Sequence, residues 1–70
     1  MLPLIVAEED KELVVKKISS NPETRLHIKN LGLIEGSIIK IVSKSGGNLI
    51  IQVKDTRLAI SQEIAKKIYV

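Results

Sequence analysis

Seventy residues carry eleven bases and eight acids, for a net charge of +3, with no cysteine and Tyr69 as the only Phe, Trp or Tyr. The length holds one domain, read here as residues 1–70, and it leaves no room for a second. The missing cysteines exclude a disulfide framework and any thiolate metal site, so the fold must stand on Ile, Leu and Val packing, as suits a reducing compartment.

The N-terminal "MLPLIVAEED" is apolar for only a few residues, and no window approaches the ~20 apolar residues of a membrane span. A soluble, cytoplasmic protein is expected. The acidic run "EEDKE", Glu8 to Glu12, reads either as a solvated loop or as a site for a hard cation such as Mg²⁺, and the loop is preferred. "ELVVKKI", Glu12 to Ile18, is β-branched and reads as a strand. Leu13 and Val15 face one way and Val14 and Lys16 the other, with a bend near Lys17 turning Ile18 inward.

"SSNPETRLHIKNLG" is punctuated as a helix. Asn21 is the N-cap, Pro22 takes the first helical position and Glu23 complements the dipole. Gly32 is placed to end the helix in a left-handed conformation, which folds Leu33 back on Ile28. Ile28 and Leu31 therefore face the core, and Leu26 is a candidate for exposure. Gly36 then launches a second strand, Ser37 to Ser43.

"KSGGN", Lys44 to Asn48, turns the chain into a third strand, Leu49 to Lys54. A phosphate cradle is the other reading of "SGGN", but such a loop leads into a helix, whereas this one joins two strands. Asp55-Thr56 is a tight turn before a fourth strand, Arg57 to Ile60. Ser61 caps a short helical turn, "QEIAKK", and Ile68 to Val70 forms a fifth strand. Five short strands with one inserted helix do not fit a parallel α/β sheet. They predict an all-β fold: a small, partly open five-stranded antiparallel barrel, filled by side chains and too small for an internal ligand cavity.

No catalytic constellation emerges, so no enzyme activity and no cofactor are expected. His27 has only Glu23 at helical spacing, a pair that reads as solvated rather than as a metal site. No Ser or Thr sits in an activating context. A small barrel that binds nucleic acid stacks bases on aromatics, and Tyr69 stands alone, so no nucleic acid is expected. What remains is apolar side chains on the outer face. With Ile39, Ile41, Leu49, Ile51 and Val53 inward, Ile38, Val42 and Ile50 point outward, joined by Leu26 and Val14. Scattered exposed aliphatics are normal, whereas Ile38 and Ile50 side by side would mark an interface.

Across nearly the whole chain the pattern resembles the FeoA (ferrous iron transport A) family. The resemblance rests on Arg25, Leu31-Gly32-Leu33, Gly36, Arg57-Leu58-Ala59-Ile60, and Ala65 with Ile68 and Val70. It implies an SH3-like barrel and a small cytosolic accessory to bacterial ferrous iron uptake. The implied partner is the cytoplasmic G-protein region of the FeoB permease, with the membrane touched only indirectly through that partner. A related domain ends iron-dependent repressors, so a metal-sensing or nucleic-acid-binding module is the alternative. Two positions depart from the family pattern: Asp10 and Asp55 stand where glycine is usual, and both are expected to tolerate left-handed turns. The residues expected to bind the partner are Leu26, Ile38 and Ile50, with Arg25 and Arg57 as polar anchors. A homo-oligomer built on Ile38 and Ile50 is a further possibility.

Overall fold

The computed structural model describes residues 1–70 in full. After one 3₁₀ turn at Leu4–Val6 come β1 (Glu12–Val14), β2 (Lys17–Ile18), α1 (Pro22–Asn30), β3 (Ile38–Ser45), β4 (Asn48–Val53), β5 (Thr56–Ser61), α2 (Gln62–Ala65) and β6 (Ile68–Tyr69). The strands form an antiparallel sheet in the order β1-β3-β4-β5 and a separate two-stranded sheet, β2-β6. The expected five strands are thus six, and no hydrogen-bonded ladder joins the two sheets into a closed barrel.

The extra strand has a physical cause. Val15 and Ile18 are both buried, which simple alternation over an odd separation forbids. The chain therefore breaks at Val15-Lys16. β1 stays on β3, with Leu13 opposite Ile39, and β2 crosses to β6, with Ile18 opposite Ile68. The second strand also runs on to Ser45, and the turn shrinks to Gly46-Gly47, both at positive φ. That two-residue loop matches the twist of the β3–β4 hairpin. Val42 is the unmatched residue of a bulge, since the register slips between Ile41 and Ser43.

The core is fourteen buried residues, all of them aliphatic. Ile39, Ile41, Leu49, Ile51 and Ile60 point into it from the large sheet, Ile18 and Ile68 from the small one, and Ile28 and Leu33 from the helical corner. The N-terminal segment is tied on by Lys44, whose Nζ donates to the carbonyls of Ile5 and Ala7 at 3.0 and 2.7 Å. Leu2 pairs with Val70 through two backbone bonds of 2.9 Å.

α1 begins and ends as its sequence dictates. Asn21 Oδ1 accepts from the Thr24 amide at 2.8 Å, with Pro22 in the first turn. At the other end the Gly32 amide donates to Lys29 and the Leu33 amide to Ile28, the paired bonds of a Schellman ending. Leu33 and Ile28 are both fully buried. α2 is capped by Ser61 Oγ, which accepts from the Ile64 amide.

The left-handed residues are distributed differently from the expectation. Asp10 takes φ +63 as anticipated, but in the β4–β5 turn it is Lys54, not Asp55, that does so, at φ +56. The turn is Lys54-Asp55, because Val53 pairs with Thr56 and leaves only two residues in the loop.

Two stability predictions follow from this geometry. Ile28→Ala empties a fully buried position at the helix ending, and a loss of about 3 kcal/mol is expected in urea unfolding. A loss under about 1 kcal/mol would show that this corner does not carry core packing. Lys54→Gly relieves a side chain held at positive φ, and a gain of about 0.5 kcal/mol is expected after allowing for the freer unfolded chain. Destabilisation in the same assay would contradict the assignment of strain to Lys54.

Candidate protein-docking face

The outer face of the large sheet is organised in rows, because residues directly opposite on neighbouring strands share a side. Glu12, Lys40, Gln52 and Arg57 form one polar row across all four strands. Val14 lies opposite Ile38 on one side of this row, and Ile50 lies opposite Ala59 on the other. Ile38 and Ile50 therefore share a face without touching as a patch. Their separation along the strands is about four residues, or ~13 Å, with the Lys40–Gln52 pair between them.

Ile38 finds its apolar company elsewhere. The turn Ile34–Ser37 is closed by the Ser37 amide bonding to the Ile34 carbonyl at 3.0 Å, with Gly36 at φ +94 as its third residue. The Ile34 amide donates to Ser37 Oγ at 3.1 Å. The Gly36 amide binds the Val15 carbonyl at 2.7 Å, and the Val15 amide binds the Ser37 carbonyl at 2.9 Å. These bonds fix the corner against the break between β1 and β2. With Leu33 locked in the core, the next side chain, Ile34, is turned out to solvent.

The result is a shallow open groove of about 480 Å³ that runs past Gly32, Ile34, Gly36, Ile38, Val53 and Lys54. Ile34 and Ile38 are 52% and 58% exposed, high for side chains that share one groove. Ile34 and Glu35 also border a second depression that reaches Arg25 and Lys29 on α1. There the Arg25 guanidinium stands 3.9 Å from the Glu35 carboxylate, a solvent-exposed contact.

The expected binding residues are thus divided. Arg25 and Ile38 meet through the Ile34–Glu35 corner. Leu26 is exposed on α1 but borders neither depression. Ile50 and Arg57 lie on the sheet beyond the Ile38 groove, Arg57 in the polar row and Ile50 past it. Ile34 had no place in the sequence-derived set. The available signal was its position in "LGLIEG", one residue past the buried Leu33.

The remaining polar candidates form no focus. His27 is exposed on α1, and no group of three or more His, Asp or Glu side chains is arranged to hold a metal ion. In the acidic run, Glu8 is engaged by Lys11 at 2.8 Å. The hydrogen bond and charge of Lys11 hold the Glu8 carboxyl below the usual carboxylate range, and Glu8 in turn raises the Lys11 ammonium. Gly46-Gly47 joins two strands, as the hairpin reading requires. No helix is long and apolar enough to cross a membrane.

This architecture and its sequence match known proteins throughout. The family model described as the FeoA domain matches residues 2–70. The putative Fe(2+) transport protein A of Methanocaldococcus jannaschii is 34% identical over 70 residues, which is all of this chain and 85% of that protein. The zinc-complexed FeoA of Stenotrophomonas maltophilia, described as an SH3 domain protein, superposes with a TM-score of 0.83 at 25% identity, over 100% of this chain and 89% of its own. A manganese-dependent transcriptional repressor superposes with a TM-score of 0.88, but at 15% identity and over only 39% of its length, so that likeness concerns the fold alone. The SH3-like architecture, the match from residue 2 to residue 70 and the transport-protein relative together place this chain in the FeoA family, whose role is in ferrous iron transport.

Proposed function

We propose that this protein is a cytoplasmic, non-enzymatic accessory of ferrous iron uptake that binds the cytoplasmic G-protein region of a FeoB-type permease. The observation that carries the reading is the exposed Ile34–Ile38 groove, built by the glycine corner of a family tied to iron transport. Such a groove suits a protruding apolar side chain of a protein partner and has no enclosed volume for a small substrate.

Ile34 and Ile38 form the apolar centre, and Val14, opposite Ile38, extends it. Arg25 serves as the polar anchor at one end: its contact with Glu35 is weak and exposed, so a partner carboxylate can replace it. Lys54 marks the other end. Arg57 supplies a secondary polar contact from the adjacent row. Leu26 and Ile50 lie outside this groove, where truncation costs little.

This arrangement ranks the candidate residues. In a pull-down with the permease's cytoplasmic domain, Ile38→Asp is expected to weaken capture by more than ~10-fold, since it puts a charge at the desolvated centre. Leu26→Asp and Ile50→Asp are expected to weaken it by less than about 3-fold. Equal retention of all three variants would remove this face from the interface. If the protein regulates the permease, adding it should accelerate GTP hydrolysis by that domain, and Ile38→Asp should abolish the acceleration. An unchanged hydrolysis rate with intact binding would reduce its role to scaffolding.

A further inference from the structure

The long-range pairing of β2 with β6 gathers lysines from opposite ends of the chain. Lys17 lies opposite Tyr69, and the Lys16 amide donates to the Tyr69 carbonyl at 2.8 Å. The Ser19 amide donates to the Lys67 carbonyl, also at 2.8 Å, which draws the Lys66-Lys67 turn beside the same strand. Four lysines, Lys16, Lys17, Lys66 and Lys67, thus surround the small sheet. None takes part in the two ion pairs of the structure. Glu63, one helical turn before Lys66 and Lys67, forms no ion pair with either. These four are among the eleven bases that give the chain its net charge of +3.

The centre of the cluster is Tyr69, half-buried and the only Phe, Trp or Tyr in the chain. On the far edge of β6, Pro3 bridges to Tyr69 and Leu2 pairs with Val70. This edge continues into Met1 and Leu2, exposed by 73% and 44%.

We propose that the β2–β6 end docks directly on an anionic lipid surface. Three features favour a bilayer over other polyanions. The cations are all lysines, which are depleted at protein interfaces and act as compact, hydrated point charges toward anionic headgroups. A tyrosine among them suits the headgroup layer, where amphipathic aromatic rings settle. Exposed Met1 and Leu2 gain from shallow contact with acyl chains, and a nucleic acid would give them nothing. Direct contact goes beyond the indirect, partner-mediated association expected from the sequence. It also does not depend on the permease reading, because protein-free vesicles suffice to test it.

The test is co-sedimentation with vesicles of phosphatidylcholine alone and with about one third phosphatidylglycerol, at low and high salt. Tyr69 fluorescence gives a second readout from the centre of the patch. Binding is expected only to the anionic vesicles, with loss at high salt and a change in tyrosine emission. Each lysine near such a surface contributes about fivefold in partitioning. Lys17→Gln with Lys66→Gln is therefore expected to weaken binding roughly 30-fold, both positions being exposed and outside the core. Lys40→Gln with Lys54→Gln removes the same charge from the large sheet and is expected to change binding less than about 2-fold. The proposal is overturned by absence of binding to anionic vesicles at low salt, or by equal weakening in the two double variants. It is also overturned if the protein binds polyglutamate or DNA and ignores the vesicles.

Discussion

Ile28 and Leu33 hold the turn from helix to sheet, and the groove beside Ile38 depends on that pair. Gly32 lets the chain reverse while its own amide and that of Leu33 donate to the orphan carbonyls of Lys29 and Ile28, so Leu33 lands on the last buried turn of α1. Once Leu33 is fixed inward, Ile34 has no route to the core, and Gly36 must take positive φ for the chain to reach β3. The amide of Gly36 and the carbonyl of Ser37 then clamp the end of β1. The groove beside Ile38 is therefore a by-product of core packing in which each step forces the next.

The same economy governs charge. A core with no buried polar side chain and no aromatic requires the sheets to present their polar residues outward, in rows set by strand register. The large sheet alternates an apolar row with a mixed-charge row, which limits the size of any apolar patch and keeps the edge strands soluble. The small sheet has only two residues per strand and is flanked by four lysines, with no ion pair to Glu63 nearby. The two surfaces are thereby distinct in chemistry: one suits a protein side chain in a shallow groove, the other a diffuse negative surface. For a protein of ferrous iron transport, a membrane-facing end and a partner-facing corner are compatible roles.

Much of this was legible in the sequence where the signal was local. The helix start at Asn21-Pro22, its end at Gly32, the return of Leu33 to Ile28 and the cap at Ser61 each depend on residues within a few positions of one another. The inward and outward faces of β3 and β4 followed from alternation. The features that escaped depend on pairing between distant segments or on one-residue details of turns. Dividing "ELVVKKI" into two strands required knowing that β6 was available to receive Lys17 and Ile18. Lys54 took the left-handed position in place of Asp55 because the two-residue loop lies one position earlier, at Lys54-Asp55. The polar pair that separates Ile38 from Ile50 becomes visible only when β3 and β4 are in register, and the lysine cluster only when β2 meets β6.

The claim that the glycine corner is a partner-binding surface is tested most directly by amide chemical-shift mapping. The ¹⁵N-labelled protein would be titrated with the permease's cytoplasmic G-protein domain. The account predicts that the largest perturbations fall on Ile34 to Ile38 and on Val14, with Ile50 and the amides of α2 near their free positions. Perturbations confined to other elements, with the Ile34–Ile38 amides unmoved at saturation, would contradict it.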